Sequence, residues 1–183
     1  LQTGCCGQVD TGQVATEIRD LEQDDVDALQ ELIESFPTYA ERITGHPPGP
    51  SDALSALISV PPDFDPSGKR GIGLWEDGVL IAFADVLFGW PDPSTAYIGL
   101  LMVHGARQGQ GVGRRLHDAV LERVRRETGA ERVRLGIVER NAEQAEPFWR
   151  ALGYVPTGKV KPYQYDKLES TVRLWERPVL GAS

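Results

Sequence analysis

Cysteine occurs only as the adjacent pair Cys5 and Cys6, in a Gly/Gln/Thr-rich leader with no His or Cys partner at metal-ligand spacing. This excludes a disulfide framework and a Cys/His nucleophile arrangement, and no metal is expected. No apolar run approaches the roughly 18 residues of a membrane span, and no basic segment followed by a hydrophobic one opens the chain. The expectation is a cytoplasmic protein with no membrane partner. Basic residues are outnumbered, 19 Lys and Arg against 27 Asp and Glu, for a net charge of −8. Neutralising phosphates needs a basic surface, so nucleic acid is excluded as the main partner. The acidic balance keeps the surface soluble and suits a cationic acceptor such as an amine.

The chain also lacks internal repeats, low-complexity linkers and any sign of a second domain. Its 183 residues and 40% hydrophobic content are ordinary for one globular unit. We read that unit over residues 15–178, with residues 1–14 a processed or non-native leader and loose tail, and 179–183 a C-terminal tail. A homodimer is compatible with these features.

Along the chain, Ala15 to Leu21 reads as a strand. Asp24 to Phe36 reads as a helix closed by Pro37, since Val26, Leu29, Leu32, Ile33 and Phe36 share a face. Tyr39 to Pro50 is expected to be largely irregular, because His46-Pro47-Pro48 disfavours helix. A short helix follows over Ser51 to Val60. Gly71 to Glu76 and Val79 to Phe88 form a hairpin around Asp77-Gly78. Thr95 to Val103 is a central strand, apolar on both faces, with Ala96, Ile98, Leu100 and Met102 on one side and Tyr97, Gly99, Leu101 and Val103 on the other. A strand over Arg132 to Val138, a helix over Ala142 to Leu152, and strands at Tyr154-Val155 and Ser170 to Glu176 complete the reading. The basic, aromatic stretch Gly158 to Tyr165 is expected to be a surface loop.

The organising stretch is Tyr97 to Arg115, YIGLLMVHGARQGQGVGRR. The strand passes into a glycine-rich turn, and a helix begins at once, with Val112, Leu116, Ala119, Val120 and Val124 at spacings of three and four. Strand, glycine turn and helix make an anion-binding device, because the first N–H groups of a helix have no internal partner and carry the positive end of its dipole. Two common phosphate motifs fail here. From Gly109 the G-x-G-x-x-G pattern continues to Gly111 and then meets Arg114, and no G-K-[ST] follows four spacers. A nucleotide-binding domain is weakened accordingly.

What remains is Gln108-x-x-Gly111-x-Gly113 after a strand ending Leu101-Met102-Val103. At these residues the chain resembles the GNAT superfamily of acyl-CoA-dependent N-acetyltransferases, whose motif reads [RQ]-x-x-G-x-[GA]. The element order resembles that fold over about residues 15–178. The resemblance extends to Asn141 to Tyr154, NAEQAEPFWRALGY, with Phe148-Trp149 and Leu152-Gly153-Tyr154 in their usual spacing. Ala145 departs from it, standing four residues past Asn141 where three is usual. The fold class implied is α/β (α+β): a mixed central sheet of about six to seven strands flanked by about four helices.

The resemblance implies attack of a primary amine, on a small molecule or peptide, at the thioester of acetyl-CoA. It places the pyrophosphate at Arg107, Gln108, Gly109, Gln110, Gly111, Val112, Gly113 and Arg114, and the pantetheine arm along Leu101, Met102 and Val103. Asn141 and Phe148 belong to the same cofactor set, and the backbone N–H near Met102 is the natural oxyanion donor. Many relatives have a Tyr after the aromatic of the later helix to reprotonate the CoA thiolate, where this chain has Trp149. A carboxylate on the central strand is absent too, the matching positions being Tyr97 and Gly99. The replacements available are Tyr97, Asp85, Tyr154, His46 and His104, with Tyr97 placed first as a positioning or relay group; a low-pKa amine needs only water. Phe36, Tyr39, His46 and Trp90 are the candidate acceptor-pocket residues. A non-catalytic acyl-CoA-binding or sensing module is the alternative that the missing acid and base leave open.

Overall fold

The computed structural model describes residues 14–180. Cys5, Cys6 and most of the expected leader and C-terminal tail lie outside the described residues. Among them the order is β1 (Thr16–Asp20), α1 (Val26–Glu34), α2 (Pro37–Thr44), α3 (Asp52–Ile58), β2 (Lys69–Glu76), β3 (Val79–Phe88), β4 (Thr95–Val103), α4 (Val112–Glu127), β5 (Arg132–Val138), α5 (Ala142–Ala151), β6 (Val155–Tyr165) and β7 (Leu168–Pro178). The strands form one seven-stranded mixed sheet in the order β1-β2-β3-β4-β5-β7-β6. Every neighbouring pair is antiparallel except β4 and β5, which run parallel. The fold class is the one expected, with one helix more.

Each face of the sheet carries its own core. Leu116, Val120 and Val124 of α4 and Trp149 of α5 pack on Ile72, Val86, Ile98, Val133 and Leu135. Leu29, Leu32 and Ile33 of α1 and Ala53 of α3 pack on the opposite face against Leu80, Phe83 and Met102. A fully buried side chain of this size contributes about 1.5–3 kcal/mol, so the helical stripes seen in the sequence suffice to fix which face each helix covers. The hairpin turn is as expected: Asp77 and Gly78 both have positive φ, at 49° and 80°, which matches the twist of the flanking strands.

Three local expectations are corrected. Pro37 closes nothing; it occupies the first turn of α2, where its missing N–H costs no hydrogen bond. The stretch expected to be irregular from Tyr39 is therefore helical to Thr44, ending at Gly45 with φ 80°. The breakers at positions 46–50 act only after that cap. Gly158 to Tyr165 is not a loop but most of β6, paired with β7 from Val160↔Arg173 to Tyr165↔Leu168. β6 is an edge strand, so Pro156 and Pro162 are tolerated, and its mostly exposed side chains leave no alternation to read.

The third correction concerns β4. Its register with β3 slips between Asp85 and Val86, so that Asp85 pairs with Leu100 and Val86 with Ile98. Gly99 is the extra residue of a β-bulge. Strict alternation breaks there: Ile98 belongs with Leu101 and Val103 on the α4–α5 side, while Leu100 and Met102 face α1 and α3. Tyr97 therefore does not share a face with Leu101.

Candidate active site

β4 and β5 are paired only from Thr95↔Arg132 to Ile98↔Leu135. Beyond Ile98 they part, and a cleft of about 370 Å3 opens between Gly99–Val103 on one side and Gly136–Val138 on the other. Helices supply the remaining walls. Phe36, Tyr39, Arg42 and Ile43 come from α2 and the residue before it; Asn141, Ala145, Phe148 and Trp149 come from the start and inner face of α5. Positions 141, 145, 148 and 149 are spaced four, seven and eight apart, so they form one helical stripe. The unusual distance from Asn141 to Ala145 thus keeps both on the cleft.

The glycine turn closes one end. Gly109 and Gly111 have φ of 72° and 77°, conformations that L side chains rarely adopt, and a Cβ on either would meet nothing within 4 Å. Gly111 is the N-cap of α4. The Gln108 side chain donates to the Val103 carbonyl at 2.7 Å, tying the turn to the end of β4. Gly113 has a different duty: a Cβ there would stand 3.2 Å from the Phe148 ring, so the glycine lets α4 and α5 approach closely. Among the described residues the backbone N–H groups of Gly109, Gln110 and Gly111 make no hydrogen bond, and those of Val112 to Arg114 have no helical carbonyl before them. The result is an open, positive concavity. Arg107 lies beside it but is clamped, together with Arg115, by Glu76 at 2.6 and 3.0 Å. These guanidiniums hold the Glu76 carboxyl below its ordinary range, Arg107 contributing most. Arg114 donates to the Ala151 carbonyl at 3.3 Å.

The register of β4 decides which main-chain groups face the cleft. His104 N–H donates to the Ile81 carbonyl at 2.8 Å, and Met102 pairs with Phe83. By the two-residue period the Met102 N–H also points at β3, while those of Leu101 and Val103 point at the cleft. The Met102 N–H, expected as an oxyanion donor, thus faces β3 and not the cleft.

The other sequence candidates separate clearly. Phe36 and Tyr39 line the cleft, and burial pushes the Tyr39 phenol up to about 12. Asn141 lines it too, accepting from Arg42 at 3.4 Å. His46 does not line it: it is exposed on the surface and pairs with Asp166 in the β6–β7 turn at 3.1 Å. Trp90 stands against Tyr97 at the paired end of β4, ring centroids 4.8 Å apart, away from the opening. Tyr97 itself reaches under β5 toward Gly136, and burial raises its phenol against the opposing effect of Arg134. His104 caps the turn by accepting from the Ala106 N–H. Tyr154 is fully buried and bonded to His117 at 3.0 Å, with burial raising the phenol. Arg42 and Ile43 were missed because their segment was read as irregular. The pairing of Asp85 with Lys69 was missed because a diagonal contact between neighbouring strands leaves no trace in hydrophobic periodicity.

Comparison with known proteins settles what this arrangement belongs to. The model described as "Acetyltransferase (GNAT) family" matches residues 26–154, most of the chain and all of the cleft helices. The chain belongs to the GNAT acetyltransferase family. Among solved structures the ribosomal-protein-S18-alanine N-acetyltransferase of Escherichia coli is 18% identical, with TM-score 0.66 over 92% of this chain and 97% of that one. A GCN5-related N-acetyltransferase from Kribbella flavida is 23% identical, with TM-score 0.65 over 90% and 98%. The protein yncA of Salmonella typhimurium, solved with its cofactor acetyl-CoA, is 20% identical, with TM-score 0.63 over 92% and 96%. At these identities the solved structures speak for the GNAT fold alone. No curated protein matches by sequence. Among the described residues no helix is long and apolar enough to cross a membrane, and no group of three His, Cys, Asp or Glu could hold a metal ion.

Proposed function

We propose that the chain transfers an acetyl group from acetyl-CoA directly to a primary amine of a small molecule or peptide. The observation that carries this reading is a cleft with a glycine turn and a helix N-terminus at one end and the unpaired edge of β4 along its floor. Pyrophosphate fits the N–H groups of the Gln108 to Gly113 turn, where a helix N-terminus favours negative charge. Pantetheine, an extended chain of amides, fits the free main-chain edge of Leu101 to Val103, with the α5 stripe Asn141, Ala145, Phe148 and Trp149 as its wall. The Leu101 N–H is then in place to donate to the oxyanion formed when the amine adds to the thioester carbonyl. The acceptor enters from the α2 side, past Phe36 and Tyr39.

Trp149 lines the cleft where a hydroxyl could have protonated the departing thiolate. This favours release to solvent-borne protons, and it is the feature that a purely acyl-CoA-binding module would share. The two readings part in one assay. Acetyl-CoA is mixed with benzylamine, an alanyl dipeptide, spermidine and an aminoglycoside, and CoA thiol is followed with a thiol-reactive dye. Amine-dependent thiol release is expected with at least one class; acetyl-CoA binding with no release in any would leave only the binding module.

A further inference from the structure

Directly behind the cleft-lining Gly99 stands a carboxylate of the neighbouring strand, Asp85. The bulge at Gly99 leaves that residue unpaired, exposed and on the cleft lining. A Cβ on Gly99 would stand only 2.8 Å from Asp85 Oδ2, so the carboxylate of Asp85 on β3 fills the space that a side chain of β4 would take. Asp85 Oδ1 accepts from Lys69 Nζ at 2.5 Å, and among the described residues Oδ2 has no hydrogen-bond partner. Side-chain exposure is 17% for Asp85 and 6% for Lys69. A buried ion pair of this kind gains little stability over apolar residues of similar size, because desolvation consumes the attraction. A buried carboxylate with one oxygen fixed and the other against a cleft-lining glycine has a chemical use instead.

We infer that Asp85 receives the proton of the acceptor amine, its Oδ2 presented to the cleft through the gap that Gly99 leaves in β4. This rests on the amine-acetylation reading above. The acceptor ammonium gives one proton to Oδ2, and the freed lone pair forms the bond to the thioester carbonyl carbon. The C–S bonding pair leaves with sulfur, the second N–H proton is lost to solvent, and the thiolate takes its proton from solvent. The products are the amide, the CoA thiol and a protonated Asp85, which returns its proton to solvent. Lys69 on β2 holds Oδ1 and orients the group. Burial, the larger effect, raises the Asp85 carboxyl despite Lys69, which makes it a better proton acceptor than an exposed aspartate. Of the other titratable candidates, His46 is held by Asp166, His104 by the Ala106 N–H and Tyr154 by His117, while burial raises the Tyr97 phenol and suits it to positioning more than to accepting a proton.

Asp85→Asn alone would leave the Lys69 ammonium buried without its partner, so the test removes both charges. Asp85→Asn/Lys69→Met is compared with wild type in turnover of the best amine among benzylamine, alanyl dipeptide, spermidine and the aminoglycoside, in acetyl-CoA affinity and in the pH profile of kcat/KM. Turnover should fall about a hundredfold with acetyl-CoA affinity unchanged, and the acidic limb of the wild-type profile should disappear. Gly99→Ala keeps both charges but sets a methyl group against Oδ2, and it should slow turnover at least tenfold. Wild-type turnover in either variant, or an acidic limb that survives in the double variant, would overturn the inference. Should the wild type acetylate none of these amines, the proposed function itself fails; undiminished variants of an active wild type defeat the role of Asp85 alone.

Discussion

The hydroxyl of Tyr97 lies 2.9 Å from the point where a Cβ on Gly136 would stand. A β4 side chain therefore reaches beneath β5 at the place where the two strands begin to part, and Gly136 is the residue that leaves it room. The phenol thereby borders the cleft without lining its mouth.

Tyr97→Phe keeps the ring and its packing on Trp90 and removes only the hydroxyl. If that hydroxyl positions the amine or a relay water, turnover falls about ten- to a hundredfold while acetyl-CoA affinity stays constant. Steady-state kinetics with calorimetry of acetyl-CoA checks both halves. Full turnover would make Tyr97 a packing residue.

Gly111→Asp should weaken acetyl-CoA binding by about 2 kcal/mol or more, roughly thirtyfold in Kd. The substitution sets a carboxylate among the free N–H groups of the turn, and a residue at φ 77° adds strain. Calorimetry gives the result directly, and equal affinity in the two proteins would remove pyrophosphate from this turn.

Much of this was legible in the chain because it is written in periodicities and turn chemistry. Val79–Phe88, Thr95–Val103 and Arg132–Val138 are strands at the bounds read from the sequence, and the Asp77-Gly78 turn joins its hairpin as expected. The glycine turn was legible for the same reason, since a positive φ at Gly109 and Gly111 demands the residue that is there. What failed did so for physical causes. A proline at position 37 starts a helix as readily as it ends one, an edge strand such as β6 needs no alternation, and one extra residue at Gly99 reverses the facing of everything after it. His46 and Trp90 were grouped with the pocket by residue type, but their partners, Asp166 and Tyr97, hold them elsewhere.

A pH dependence of stability follows from His117. It is fully buried beside Tyr154 and Trp149, and burial, the largest cause, lowers its pKa from 6.5 to about 4. Between these values the unfolded chain binds the proton and the folded one does not, so stability rises with pH across that window and is lost on acidification from about 6.5 to 4. The loss is on the order of 3 kcal/mol, at about 1.4 kcal/mol per unit. Urea unfolding at pH 7 and pH 4.5 should show it in the wild type and show a smaller difference in His117→Gln, which does not titrate. An identical difference in the two proteins would assign the effect to other groups.

Transfer without a covalent acetyl-enzyme predicts an unmodified mass after mixing with acetyl-CoA alone. The only cysteines, Cys5 and Cys6, precede the first strand by ten residues or more in the sequence. Intact-protein mass spectrometry within one turnover time tests this. A stoichiometric acetyl adduct that an amine then discharges would contradict it.

The most direct test of the account is the fate of the acetyl group itself. Acetyl-CoA labelled in the acetyl carbon is incubated with the protein and the amine panel, and both free CoA thiol and labelled N-acetyl amine are quantified. Direct transfer predicts the two products in equal amounts, formed only when protein and amine are both present. Thiol release with no labelled amide, or acetyl-CoA bound and returned intact with every amine, would contradict it.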